Sequence, residues 1–351
     1  MENSMQAAVY HGPDDIRVEE VPIPQIGPNE ILIRVLSANI CGTDLRILHG
    51  HHRHYPVGTV RIPGHEVAGE IVDLGENVTK FQVGERVFIA PNMGDGDSRE
   101  TISGNNNLDP NFRAIGINLD GAFAQFMRVP SEAVLQGNVM RISPDADPAV
   151  AALIEPLACV LRGQNAVNVH SGDVVLVMGA GPIGILHMLL AQVRGAARVL
   201  VSEPLKNRRA QALELGADQV IDPVNEDLAS IVQEASGGRG ADVIIVAAPS
   251  KIAQESAMQI AAVGGRINLF GGLPKDDPFI QFDSNSVHYK ELIVTGTTAC
   301  STYDCLQAAD LVNSGGIDLA KLITGRFSLR DAQAAFAAAE DGTNLRVSFV
   351  P

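Results

Sequence analysis

The sequence predicts an α/β protein in two parts, a β-rich first third followed by a doubly wound parallel sheet. Three observations predict it. From Gln6 to Pro130, short β-rich runs are broken by Gly and Pro. At Asp147 the texture changes to alternating strand-like and helix-like segments, whose strands are continuously apolar as expected when helices cover both faces. The first of those strands runs straight into a Gly-rich turn that opens a helix. A length of 351 residues suits two domains and is ample for a core.

In the first part, runs at 7–10, 30–37, 65–74, 86–90 and 122–129 read as strands of an all-β or α+β region. The connection 92–118 is long and rich in Gly, Asp and Asn, which marks a functional loop or the remnant of one. Residues 150–169 have the 3.6-residue apolar spacing of a helix. Strands are then expected at 173–178, 198–202, 219–221, 242–247 and 266–270, with helices at 184–194, 205–215, 227–235 and 252–262 between them. A strand at 292–297 and helices near 303–312 and 329–340 follow, and this last stretch is expected to lie partly against the first domain.

The turn Gly179-Ala180-Gly181-Pro182-Ile183-Gly184 has the glycine spacing of a dinucleotide-binding loop, in the strand–turn–helix context that makes the pattern meaningful. Pyrophosphate would sit on the positive end of the helix. A second strand ends at Glu203, where a carboxylate can accept from the adenosine ribose hydroxyls and repels a 2′-phosphate, which favours NAD over NADP. Arg208 is kept with the cofactor-binding set, although it and Arg209 lie inside the next helix, where such residues are more often a solvated face.

Forty-one acidic against 26 basic side chains leave a formal charge of −15, which argues against nucleic acid and anionic membrane as partners. The chain start carries no basic stretch followed by an apolar core, and no apolar run reaches the length of a membrane span, so a cytoplasmic protein is expected. Four scattered cysteines, Cys41, Cys159, Cys300 and Cys305, fit reduced thiols better than a disulfide scaffold. Cys41 closes one strand beside Thr43 and Asp44, and His65-Glu66 opens another. A thiolate, an imidazole and a carboxylate from neighbouring strand ends suit Zn²⁺. Glu155 adds a carboxylate inside an apolar helical stretch, where it needs a partner.

These residues resemble the zinc-dependent medium-chain alcohol dehydrogenase family, nearest its polyol (sorbitol-type) and threonine dehydrogenase branch. Gly64-His65-Glu66, with Gly69, Gly75 and Val78 following, matches the family's zinc signature, and the resemblance runs from Met5 to Arg346. It implies a GroES-like β-barrel catalytic domain (1–147), a Rossmann NAD-binding domain (148–286) and a C-terminal segment (287–351) that partly returns to the first, with the active site in the cleft between them. It implies Cys41, His65 and Glu66 as zinc ligands, and Glu155 as a carboxylate that binds the zinc or sits just outside it. Thr43 would take the substrate proton, Asp44 would orient the ligand imidazole, and Arg346 would reach the cofactor pyrophosphate. A homo-oligomer, tetramer or dimer, is implied as well.

Two departures from the family stand out. Where relatives carry four cysteines for a structural zinc, Asp95, Ser98, Thr101 and Asp109 stand, so one catalytic zinc per chain and no structural zinc is expected; packing of Leu108, Phe112 and Ile115 would then help hold the connection. Arg46 occupies the place of the histidine that often passes the proton to solvent, and arginine cannot act as a base. The implied reaction is hydride transfer between a secondary alcohol and NAD, with a polyol or sugar as leading substrate. L-threonine, a butanediol or a sugar-alcohol phosphate are the alternatives, and a nucleotide-binding redox sensor without turnover is a further one.

Overall fold

The change of texture at Asp147 separates two kinds of sheet. In the computed structural model, which describes residues 4–351, the chain divides into one unit of residues 1–158 with 300–351 and a second of residues 159–299. Both divisions fall later than the boundaries at 147 and 286 expected from sequence. Residues 1–3, part of the stretch read for an export signal, lie outside the described residues.

The first unit is built on a seven-stranded sheet. Along it run Ile323–Phe327, Arg346–Phe349, Ile31–Asn39, Glu66–Leu74, Arg86–Ile89 and Val139–Arg141, while Phe126–Val129 also pairs with Ile31–Asn39. The hairpin Ser4–Gly12 with Asp15–Pro22 forms a separate two-stranded sheet. Alternation buries Ile31, Ile33 and Val35 on one face of the central strand, where they join Ile71, Phe123 and Phe349 in the core. The Phe123 and Phe349 rings meet edge-on with centroids 4.9 Å apart, so the last strand is packed as well as hydrogen-bonded. The C-terminal segment 300–351 belongs wholly to this unit.

The second unit is a six-stranded parallel sheet. Its spatial order is Gln219–Ile221, Arg198–Ser202, Val174–Met178, Ala241–Val246, Ala261–Leu269 and Ile293–Gly296, the 3-2-1-4-5-6 order of a dinucleotide-binding fold. Val174–Met178 is buried along its whole length, as a central strand covered on both faces must be. The strand expected at 292–297 pairs in parallel with Ala261–Leu269 here, not against the first unit. Its sequence carried no sign of its partner; the parallel register Ile267↔Val294 does. Among the described residues no helix is long and apolar enough to cross a membrane.

The connection 92–118 folds around one carboxylate. Asp109 is buried, and its Oδ2 accepts from Ser98 Oγ at 2.5 Å, Thr101 Oγ1 at 2.6 Å and the Asp95 amide at 3.2 Å. The Asn111 amide donates to its other oxygen at 2.7 Å, and Asn111 Nδ2 reaches Asp95 at 2.9 Å. The four side chains that stand where relatives carry cysteines thus converge on a hydrogen-bonded centre. Burial alone would raise the Asp109 pKa, but the hydroxyl and amide donors outweigh it and hold the carboxyl well below its ordinary range. Of the apolar residues expected to hold this connection, Ile115 is buried and Phe112 half-buried, whereas Leu108 is exposed.

Candidate active site

Antiparallel pairing assembles the metal group. Asn39 at the end of one strand is the partner of Glu66 at the start of the next, which places Cys41, His65 and Glu66 at one end of the sheet. Their ligand atoms all lie within 4.8 Å of one another. Gly64, immediately before His65, has φ +98°, and a Cβ there would meet the Phe123 ring at 2.6 Å. The core therefore presses directly on the segment that carries the imidazole.

Cys41 also caps the helix Gly42–Leu48, and the Cys41 amide donates to Asp44 Oδ2 at 2.8 Å. The other Asp44 oxygen lies 3.5 Å from His65 Nδ1, so Nε2 is the ring atom left for a ligand bond. Glu66 is wholly buried, and neither carboxylate oxygen has a hydrogen-bond donor among the described residues. The buried Arg346 guanidinium stands 3.0 Å from Glu66 Oε1 and donates to the Ile40 carbonyl at 3.1 Å. Burial would raise the Cys41 thiol, yet its hydrogen bond to His65 and the charges of His65 and Arg346 hold it at about 6. Burial pushes Glu66 well up, opposed by Arg346 and assisted by Cys41 and Glu155. A soft thiolate, an imidazole and a buried carboxylate without donors are the donor set of a zinc site, and the residues fit that ion.

Glu155 lies at the start of the helix Ile154–Ala166, with Cys159 one turn further along the same helix and their ligand atoms within 4.8 Å. The structure brings Glu155 beside Cys300, whose Sγ is 3.7 Å from Glu155 Oε1, and does not group it with Cys41, His65 and Glu66. Thr43 is half-buried, and its Oγ1 accepts from Arg46 Nη2 at 3.0 Å. Sequence placed Arg46 as a departure but carried no hint of this contact. Nearby, burial holds His52 down at about 4, reinforced by the charges of His54, Arg46, Arg53 and His65. The Arg346–Glu66 pairing also escaped sequence reading, because the two residues are far apart in the chain.

In the second unit Gly179 has φ +107°, and a Cβ on Gly184 would fall 1.9 Å from the Gly179 carbonyl. A Cβ on Gly181 would meet nothing within 4 Å, which leaves open space at the head of the helix Pro182–Val193. Pro182 takes the first helical turn, where its missing N–H costs nothing, and Ile183 follows it. Glu203 is buried, accepting from the Ala180 amide at 2.8 Å and the Leu205 amide at 2.9 Å. Arg209 is committed to Asp222 at 2.8 Å and to the Glu203 and Pro204 carbonyls, both at 2.7 Å; Arg208 is half-buried. The open, glycine-lined helix start fits a dinucleotide pyrophosphate.

Two family models match the chain, the alcohol dehydrogenase GroES-like domain over residues 27–139 and the zinc-binding dehydrogenase over residues 182–314. An L-threonine 3-dehydrogenase of Rhizobium rhizogenes is 32% identical over 99% of each chain, and one of Caldanaerobacter subterraneus is 34% identical over 95% of each. Among solved structures, a zinc-binding dehydrogenase from Sinorhizobium meliloti bound to NADP matches with a TM-score of 0.91 and 31% identity over the whole of both chains. A 2R,3R-butanediol dehydrogenase from Bacillus subtilis matches with a TM-score of 0.89 and 26% identity over 99% of this chain and 100% of that one. The chain belongs to the zinc-dependent medium-chain alcohol dehydrogenase family, oxidoreductases that use zinc and a nicotinamide cofactor on a small-molecule alcohol. Within the family, these relatives put it in the threonine dehydrogenase branch.

Proposed function

We propose that the chain oxidises the secondary hydroxyl of L-threonine or a close carboxylate-bearing analogue, with NAD as hydride acceptor, in the cytoplasm. The observation that carries the substrate class is the Arg46 guanidinium on the Thr43 hydroxyl, one helix turn from Cys41. A guanidinium there can pair with a substrate carboxylate, which threonine has and a simple polyol or butanediol lacks. The 31–34% identity to enzymes named L-threonine 3-dehydrogenase supports the same choice. The polyol or sugar reading, put first from sequence, therefore comes second.

Cys41, His65 and Glu66 would hold the zinc, with Glu155 as a further carboxylate; when bound, zinc lowers the pKa of the substrate hydroxyl, and the nicotinamide takes the hydride. Thr43 supplies the proton-accepting oxygen. One of its lone pairs is occupied by Arg46, so its remaining lone pair and its O–H face the substrate proton and the onward path. Arg46 stabilises negative charge on that oxygen but cannot itself accept the proton. Asp44 holds the His65 ring in place. Glu203, its carboxylate fixed by two amide donors, would stand where a ribose 2′-phosphate would approach, which supports NAD over NADP.

Formation of reduced nicotinamide with L-threonine, polyols, diols and sugar-alcohol phosphates tests this reading. L-threonine should be oxidised with the highest kcat/KM. A polyol or diol that surpasses it by ten-fold or more on any scale of precision, roughly 1.4 kcal/mol in transition-state binding, would overturn the substrate assignment, and no turnover with any would favour the sensor.

A further inference from the structure

We infer that His49 is a positioning residue for the reaction, a doubly bonded imidazolium that ties the end of the helix bearing Thr43, Asp44 and Arg46 to two distant parts of the first unit. Its Nδ1 lies 2.6 Å from Asp14 Oδ1, and its Nε2 lies 2.8 Å from Glu340 Oε1. An ionised carboxylate only accepts hydrogen bonds, so both ring nitrogens must donate and the ring must carry its second proton. Asp14 stands in the turn between Ser4–Gly12 and Asp15–Pro22, and Glu340 ends the helix Ala332–Glu340, so three segments of the chain meet at one ring. His49 is itself the cap of Gly42–Leu48, where the carbonyls of a helix end favour a cation.

The joint has a backbone part and a side-chain part. The Asp14 amide donates to the Leu48 carbonyl at 2.7 Å, and a Cβ on Gly50 would meet Pro13 Cγ at 2.6 Å, so the hairpin turn closes on the helix end whatever the charge. The imidazolium adds the last helix to that joint. At its other end the same helix is anchored by the Cys41 amide on Asp44, and Thr43 and Arg46 lie between the two anchors. The bonds to Asp14 and Glu340 push the His49 pKa above its ordinary value of 6.5, with burial opposing. The other ring facing it is His51, with centroids 6.4 Å apart, while neighbouring Asp15 and Asp341 are engaged by Arg17 and the Thr343 amide. Deprotonation removes one of the two donors, so the clasp is whole near neutral pH and opens as pH rises through the raised value. Thr43 and Arg46 then lose part of their fixed orientation; here the inference rests on the proposed function, and substrate binding weakens on the alkaline side.

The test is hydrogen exchange of the zinc-loaded full chain, read by mass spectrometry over residues 42–50 and corrected for the intrinsic rise of exchange with pH. Protection should fall by about three- to ten-fold from about pH 7 to about pH 9, the size expected for losing exposed ion pairs. The Asp14→Asn/Glu340→Gln double variant should show the lower protection already at neutral pH. Both changed side chains are exposed, and asparagine tolerates the φ of +59° at residue 14, so the variant keeps its fold. His49→Arg can donate to both carboxylates and keeps its charge, so its protection should hold across the range. Equal protection in the double variant and the unsubstituted chain at neutral pH, or a fall with pH that persists in His49→Arg, overturns the clasp. KM for L-threonine, or for whichever alcohol is turned over, should rise over the same range in the unsubstituted chain and not in His49→Arg, with kcat changing less. A loss of protection without that rise in KM overturns the positioning role. Because exchange judges the clasp without any substrate, failure of the threonine reading leaves it standing.

Discussion

His187 shows what burial does to a single side chain. It lies on the helix that follows the glycine turn, wholly buried, with neither ring nitrogen hydrogen-bonded among the described residues and the Phe270 ring edge-on at 4.7 Å. Burial, with the charge of Arg194 adding, holds its pKa at about 3. The unfolded chain binds a proton there near the ordinary pH of 6.5 and the folded chain does not, so stability is full above about pH 6.5 and falls as pH drops. The His187 share of that slope approaches roughly 1.4 kcal/mol per pH unit. His187→Leu should flatten urea-unfolding stability between about pH 6 and 4 by that amount, and an unchanged slope would show that the ring is protonated in the folded state. Glu203 is a second case. Its carboxylate holds the Ala180 amide, and on the proposed reading it also meets the ribose, so Glu203→Ser should weaken both cofactors. The NAD-to-NADP ratio of kcat/KM should still fall by about ten-fold or more. A ratio that stays put would assign the choice to Arg208.

At the scale of elements, the connection 92–118 is wound around one anion, the Asp109 carboxylate, and its donors. Asp109→Asn turns one acceptor oxygen into a donor facing the Ser98 and Thr101 hydroxyls and the Asp95 amide, or the Asn111 amide, a loss of about 2 kcal/mol for a charged hydrogen-bond centre. Limited proteolysis within residues 95–112 should become faster while the zinc content of purified protein stays the same; a drop in zinc would mean that the loop binds the ion. Because the folded pKa of Asp109 is depressed, its contribution is complete above about pH 4 and is lost as pH falls through the folded value. The motif spacing told which positions stood in for cysteines, but not that they would meet, since convergence depends on how the loop is wound. The glycine turn was legible because each of its residues answers a local steric demand, as the 1.9 Å clash at Gly184 illustrates. Cys41, His65 and Glu66 were legible for a related reason: adjacent strand ends bring them together without help from distant chain. Arg346 was not, because its partner Glu66 lies in a segment joined to it only by tertiary packing.

For the whole molecule, the first unit is discontinuous, and its sheet is completed by Arg346–Phe349 between Ile31–Asn39 and Ile323–Phe327. That strand brings Arg346 to Glu66 and Phe349 against Phe123, which in turn bears on Gly64. During synthesis the second unit is finished before this strand exists. At about 5–20 residues per second, the segment between Glu66 and Arg346 takes roughly 15–55 s to make. Over that interval the nascent chain on the ribosome carries an acid without its guanidinium partner and a barrel with an unpaired edge. Translation speed through the second half therefore sets how long that edge stays open to chaperones, or to another nascent copy.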